Sequence, residues 1–66
     1  MEERLLYRIP DALRLLSLSR AEVYKLISQG RLRPVKVGRA ARIPAEELLR
    51  FVRELVAEQT ERAGRR

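Results

Sequence analysis

The chain has 66 residues, with 15 Lys and Arg against nine Asp and Glu, and it contains neither cysteine nor histidine. This composition excludes disulfide scaffolds, zinc fingers, thiol nucleophiles and histidine acid–base chemistry, and the length predicts one small domain with a modest core. No apolar run approaches the roughly 20 residues that span a bilayer, and a signal-peptide pattern is missing, so we expect a cytoplasmic protein.

The positive charge is confined to the middle of the chain. Residues 17–44 hold seven Lys and Arg against one acidic residue, Glu22, and account for the whole net charge of +6. Residues 1–16 and 45–66 are each balanced. Such a concentration of charge favours a polyanionic partner.

The first helix is predicted to begin at Pro10, which suits the first helical position, with Asp11 in the first turn. Residues 1–6 are expected to fray, and residues 7–9 to form a short extended entry. The apolar positions at helical spacing are Ile9, Ala12, Leu13 and Leu16.

The second helix has both ends marked. Ser19 and Glu22 form the Ser-x-x-Glu capping box, and Gly30 lies where a left-handed residue ends a helix. Its buried face is predicted to consist of Val23, Leu26 and Ile27, and its outward arc of Ala21, Tyr24, Lys25 and Ser28. With the tight turn at residues 17–18, the two helices have a helix-turn-helix layout, although an ordinary amphipathic surface helix has the same local pattern.

Residues 35–44 predict a two-stranded hairpin that bends at Gly38. Its β-branched side chains are expected to rest together on the helices, namely Val35, Val37 and Ile43. Its cations are expected to point outward, namely Lys36, Arg39 and Arg42. A solvent-facing turn without a binding role is the alternative.

The last helix is predicted from Pro44 to about residue 60, followed by a frayed basic tail. Its core stripe is Leu48, Phe51, Val52 and Leu55, whereas Leu49 and Val56 are expected to be exposed. The ion pairs at i, i+4 spacing are Glu46–Arg50, Arg50–Glu54 and Glu58–Arg62.

These segments together resemble the excisionase family of small winged helix-turn-helix proteins, whose fold is similar to the DNA-binding domain of the MerR regulators. The resemblance covers about residues 6–55. It rests on Tyr7-Arg-Ile-Pro-Asp-Ala12, on Ser19-Arg with Val23-Tyr24 and Leu26-Ile27, on Gly30-Arg-Leu32, and on Val35-Lys-Val-Gly38 with Arg42-Ile-Pro44. It implies a mainly α fold with a small β-hairpin wing, in the order α1-turn-α2-β-hairpin-α3.

The family implies a phosphate contact from Ser19, base or backbone contacts from the recognition helix, and further contacts from the wing. The candidate DNA-binding residues are Ser19, Arg20, Ala21, Tyr24, Lys25 and Ser28 on the recognition helix, and Arg33, Lys36, Arg39 and Arg42 on the wing and its flank. Three positions depart from the family pattern. Leu13 and Ser17 replace a common alanine and a common glycine, and Ala41 stands where the wing often has another arginine.

The leading interpretation is therefore an accessory factor that binds and bends attachment-site DNA for excision by an integrase. A small transcriptional regulator would need the same contacts and stays open at this point. A protein-interaction module or antitoxin using Leu5, Leu6, Leu49 and Val56 is the third hypothesis. We expect no enzymatic activity, no cofactor, no small-molecule substrate and no membrane association. As a DNA-binding protein it is expected to be nucleoid-associated. The protein is expected to be monomeric in solution and to associate head to tail on DNA, as the resembled family does.

Overall fold

The computed structural model of the protein describes residues 4–64. It contains three helices and a small antiparallel sheet. In chain order the elements are β1 (Leu6–Arg8), α1 (Ile9–Leu16), α2 (Arg20–Ser28), β2 (Val35–Val37), β3 (Ala40–Pro44) and α3 (Ala45–Gly64). The predicted fold class is confirmed in part: the three helices and the hairpin follow one another in the predicted order, and the sheet has a further strand, β1, before α1.

The ends of the chain are more ordered than predicted where they are described. Leu6 belongs to β1, and the carbonyl of Leu5 accepts a hydrogen bond of 2.9 Å from the amide of Ala45, so these two residues are not frayed. Helix α3 continues to Gly64 rather than ending near residue 60. The predicted fraying of residues 1–3 and 65–66 lies outside the described residues.

The turn between α1 and α2 depends on Ser17, which has a left-handed backbone with φ of 57°. The amide of Ser17 donates to the carbonyl of Arg14, and the amide of Leu18 donates to the carbonyl of Leu13 at 3.0 Å. These two bonds form a Schellman motif that ends α1. A serine in this conformation costs about 1–2 kcal/mol relative to an ordinary helical backbone. Glycine, common here in the resembled family, would avoid that cost.

Helix α2 is closed at both ends as the sequence predicts. The amide of Glu22 donates to Ser19 Oγ at 3.2 Å, and the amide of Ser19 donates to Glu22 Oε1 at 2.9 Å. At the other end Gly30 has φ of 76°, and its amide donates to the carbonyl of Ile27 at 3.0 Å. These caps allow a nine-residue helix to end sharply on both sides.

The sheet has the strand order β1-β3-β2, with β3 in the centre. β1 pairs with β3 through Tyr7 opposite Ile43, and β2 pairs with β3 through Val35 opposite Arg42. The extended entry at residues 7–9 is thus in part a third strand, with Ile9 already helical. The sequence did not predict its pairing because its partner is about 36 residues away and leaves no local pattern.

The predicted face of the hairpin is wrong for Val35 and Val37. Both lie on the sheet face opposite Ile43 and are 42% and 55% exposed, whereas Ile43 is fully buried. The loop of two residues pairs Val37 with Ala40, so Val35 faces Arg42 and the odd residue Ile43 falls on the other side. Because side chains alternate along a strand, only one of the three β-branched residues reaches the core.

The core is formed by residues from α1, α2, the loop after α2, β3 and α3. Its buried members are Ala12, Val23, Leu32, Ile43, Leu48 and Phe51. Val23 and Phe51 are buried as predicted, and Leu49 and Val56 are exposed as predicted. Val52 is 42% exposed, contrary to the predicted stripe, whereas Leu55, one turn further along α3, is partly buried against the core. Helix α2 is thereby fixed to the domain by its inner face.

Candidate nucleic-acid interface

Helix α2 presents its predicted outward arc to solvent. Taking the direction of Val23 as zero, a rotation of about 100° per residue places Tyr24 and Lys25 within an arc of roughly 100–200°. The exposed residues in that arc are Ala21, Tyr24, Lys25 and Ser28, and Ser19 and Arg20 are exposed at the N-terminal end. The hydroxyl of Ser28 donates to the carbonyl of Lys25 at 2.8 Å, so the hydroxyl proton already has an acceptor within the helix.

The wing, which comprises β2, the turn and β3, carries Arg39 at its tip. Gly38 has φ of 65° and is the first of the two turn residues, which is the requirement of a type II′ hairpin turn. A Cβ atom at Gly38 would meet nothing within 4 Å, so backbone conformation alone favours glycine there. The turn places Arg39 in solvent, at the point of the domain farthest along the hairpin.

Lys36 and Arg42 do not share the outward face predicted for them. Lys36 is paired with Ala41 on the face of Ile43, while Arg42 lies on the opposite face with Val35. Lys36 is exposed, whereas Arg42 is partly buried and its Nη1 donates to the carbonyl of Ala41 at 3.0 Å. The wing is therefore cationic on both faces and at its tip.

The loop between α2 and the wing is attached to α3 by a partly buried carboxylate. Glu47 Oε2 accepts a hydrogen bond of 2.8 Å from the backbone amide of Arg33, and the side chain of Glu47 is only 13% exposed. Arg50 bonds to Glu47 and to Glu54, and its Nη2 donates to the carbonyl of Arg31 at 2.9 Å. Through this Glu47–Arg50 pair, α3 fixes the backbone that joins the two candidate binding elements.

The ion pairs of α3 differ in part from the predicted set. The Arg50–Glu54 pair is present. Arg50 takes Glu47 rather than Glu46 as its second partner, because Glu47 is turned toward the loop. Glu58 pairs with Arg31 across 2.8 Å, and the predicted pairing with Arg62 lies outside the side chains that the structure describes.

Arg31 is thereby removed from the cations available to a ligand. Its guanidinium carbon lies 5.6 Å from the ring centroid of Phe51, and Nη2 pairs with Glu58. The six other cations of residues 17–44 form no ion pair with any residue that the structure describes; they are Arg20, Lys25, Arg33, Lys36, Arg39 and Arg42. Six positive charges thus lie on α2, the loop and the wing.

Glu22 is the one carboxylate in that segment of the chain. The hydrogen bond from the backbone of Ser19 lowers the pKa of Glu22, so the carboxylate stays ionised as part of the cap. Its negative charge lies at the helix N-terminus, where it is attracted by the positive end of the helix dipole and completes the capping box.

Sequence reasoning missed three residues with a bearing on this surface. Glu47 and Arg50 hold the loop, and Arg8 lies directly opposite Arg42 in the sheet. Their spacing gave no signal because each acts through a tertiary contact. Within residues 4–64 no group of His, Cys, Asp and Glu is arranged to hold a metal ion, and no helix there is long and apolar enough to cross a membrane.

Comparison with known proteins agrees with this architecture. A family model described as a helix-turn-helix domain matches residues 6–56. The chain is 30% identical over 60 residues to a protein of Saccharopolyspora erythraea named a probable excisionase; the alignment covers 91% of this chain and 61% of that relative. No solved structure is significantly similar. The family match spans α1, the turn, α2, the wing and the first half of α3, and the chain belongs to the helix-turn-helix domain family of DNA-binding domains.

Proposed function

We propose that this domain binds double-stranded DNA in a sequence-specific manner, with α2 in the major groove and the wing at the adjacent minor groove. The observation that carries the proposal is the set of six cations on α2, the loop and the wing that form no ion pair among the described residues. A cluster of like charges is unfavourable in the free protein and is neutralised by phosphates in a complex.

Residues of α2 divide between base and backbone contacts. Lys25 donates to guanine O6 or N7 from the centre of the outward arc, and Tyr24 reaches a phosphate or packs on a thymine methyl group. Ser19 and Arg20, at the N-terminal end of the helix, contact phosphates. Arg39 at the tip of the wing enters the minor groove, where a narrow A·T tract attracts arginine.

Such a module reads few bases. A single domain of this kind buries about 600–1,000 Å² of protein surface, so a unique site requires several copies or a partner. The domain therefore binds closely spaced repeats as a head-to-tail array, together with an integrase.

The biological role of this DNA binding is that of an excisionase-like accessory factor, which binds and bends attachment-site DNA. The name of the Saccharopolyspora erythraea relative supports this assignment. The chain corresponds to 61% of that relative, and the remaining part of the relative has no counterpart in the alignment. A gel-shift series with the binding site at different positions along a fragment tests for bending; a site bound without bending contradicts the excisionase role and favours a transcriptional regulator.

Titration of labelled duplex DNA at several salt concentrations tests the binding itself. The logarithm of the association constant should fall with the logarithm of salt concentration at a slope of roughly −4 to −6, which corresponds to about five to seven phosphate contacts. A flat dependence would remove the DNA-binding proposal and leave a protein-interaction module.

A further inference from the structure

The face of the sheet opposite to the buried Ile43 brings two arginines together. Arg8 on β1 and Arg42 on β3 are directly opposite in antiparallel register, so their side chains leave the same face of adjacent strands. Like charges in that position destabilise a strand pair. This pair therefore does not contribute to the stability of the free protein, which leaves a bound anion as a partner to consider.

The surrounding groups do not neutralise this pair. Arg8 and Arg42 line one shallow depression with Arg4, Leu6 and Asp11. Asp11 is the one carboxylate in it and is already bound to two other arginines, to Arg4 at 3.4 Å and to Arg14 at 2.6 Å. Neither Arg8 nor Arg42 forms an ion pair within the described part of the chain.

The two guanidinium groups are suited to share one anion. Nη1 of Arg42 is held by the carbonyl of Ala41 at 3.0 Å, which fixes the orientation of the group and leaves Nε and Nη2 as donors. Arg8 keeps all its donors, since its side chain makes no hydrogen bond in the structure as described, although Arg8 is the N-cap residue of α1. Arginine donors converge well on the non-bridging oxygens of a phosphate.

We infer that Arg8 and Arg42 form a second phosphate-binding site, which takes one phosphodiester group of the DNA bound by α2 and the wing. The inference rests on the proposed function, because Arg42 belongs to the wing that would lie against DNA. It extends the contact to β1, at the opposite edge of the sheet from β2. An acidic segment of a partner protein is the competing occupant, and the wing position of Arg42 favours DNA.

The test is the variant Arg8→Gln, with Arg53→Gln as the matched control. Arg53 lies exposed on α3 and forms no ion pair among the described residues, so both variants remove one unpaired positive charge. Binding to a labelled duplex is followed by fluorescence anisotropy at several salt concentrations, and folding by circular dichroism.

Arg8→Gln should weaken DNA binding without lowering the stability of the folded domain. It should weaken DNA binding roughly threefold to tenfold at about 0.1 M salt and reduce the salt slope by about one. Arg53→Gln should change the affinity by less than about twofold and leave the salt slope unchanged. The melting temperature of Arg8→Gln should equal or exceed that of the wild type, since a like-charge contact is removed. Arg8→Lys should restore the salt slope.

Three outcomes would overturn the inference. One is an unchanged slope for Arg8→Gln on DNA that the wild type binds with a steep salt dependence. The second is an equal loss for Arg8→Gln and Arg53→Gln, which would indicate a general charge effect. The third is unchanged DNA binding with lost binding to a poly-glutamate peptide, which would assign the site to an acidic protein segment. A flat salt dependence of the wild type would instead reject the proposed function itself.

Discussion

The attachment of the loop to α3 can be tested with Glu47→Gln. The carboxylate of Glu47 holds the amide of Arg33 and the guanidinium of Arg50, and thereby fixes the backbone between α2 and the wing. If that carboxylate positions the wing, weakening its hydrogen bonds should reduce what Arg39 contributes to DNA binding. Glu46→Gln is the matched control, because Glu46 is an exposed neighbour with the same charge.

The expected loss of stability can be worked from the hydrogen bonds that Glu47 accepts. A hydrogen bond to a charged group contributes about 1.5–3 kcal/mol, and glutamine keeps the acceptor oxygen but not the charge, so we expect the unfolding free energy to fall by about 1 kcal/mol. A domain of this size holds about 3–5 kcal/mol in total, so the Glu47→Gln protein should remain folded. Its DNA binding can then be compared directly with that of the wild type.

The assay is a double-mutant cycle with Arg39→Ala, using anisotropy to measure the dissociation constant. In the Glu47→Gln background, Arg39→Ala should cost less by at least about 0.5 kcal/mol, or about twofold in affinity. Glu46→Gln and Glu47→Gln should also change the affinity for DNA in opposite directions. Removing the negative charge of Glu46 tightens binding slightly through the net charge of the domain, whereas releasing the loop through Glu47→Gln weakens it. Additive effects within about 0.3 kcal/mol, or identical behaviour of the two variants, would refute a positioning role for Glu47.

The same carboxylate predicts a pH dependence. The side-chain hydrogen bond from Arg50 lowers the pKa of Glu47 in the folded protein. A group with a lowered folded pKa stabilises fully above its unfolded pKa of about 4.3, and that contribution is lost as the pH falls through the folded value. The difference in melting temperature between wild type and Glu47→Gln should therefore be largest near pH 7 and should shrink below about pH 4. A constant difference down to about pH 2 would contradict this.

Three further predictions concern the turn, the core and the DNA contacts. Ser17→Gly should stabilise the domain by about 0.5–1 kcal/mol, since relief of the left-handed strain exceeds the added entropy of glycine; a lower melting temperature would contradict this reasoning. Phe51→Ala should abolish cooperative unfolding in circular dichroism, because a cavity of that size costs about 3–5 kcal/mol; an unchanged melt would place Phe51 outside the core. Arg39→Ala should weaken binding to all duplexes and lower the salt slope by about one, while Lys25→Ala should also relax base preference at one position. Equal effects of Lys25→Ala on specific and random DNA would rule out its role in base readout.

Much of the fold follows from short-range patterns. The capping box at Ser19, the glycine at Gly30 and the proline at Pro10 mark helix ends through interactions within about four residues, so the sequence predicts α1 and α2 nearly as observed. The same holds for the turn at Gly38. Helical periodicity also places the candidate residues of α2 on its surface, because it relates Val23 on one side to Lys25 on the other.

What the sequence determined by itself is the location of the charge and of the helices. What only the tertiary structure decided is which groups meet across the fold. The pairing of β1 with β3 set Arg42 opposite Arg8, and no local pattern specifies a register between segments about 34 residues apart. Packing on the helices decided that the face of Ile43, and not that of Val35, is buried. Packing of the loop on α3 also makes Glu47 rather than Glu46 the partner of Arg50, and it brings Arg31 into an ion pair with Glu58. These outcomes depend on distances between elements, which periodicity and capping along a single element do not contain.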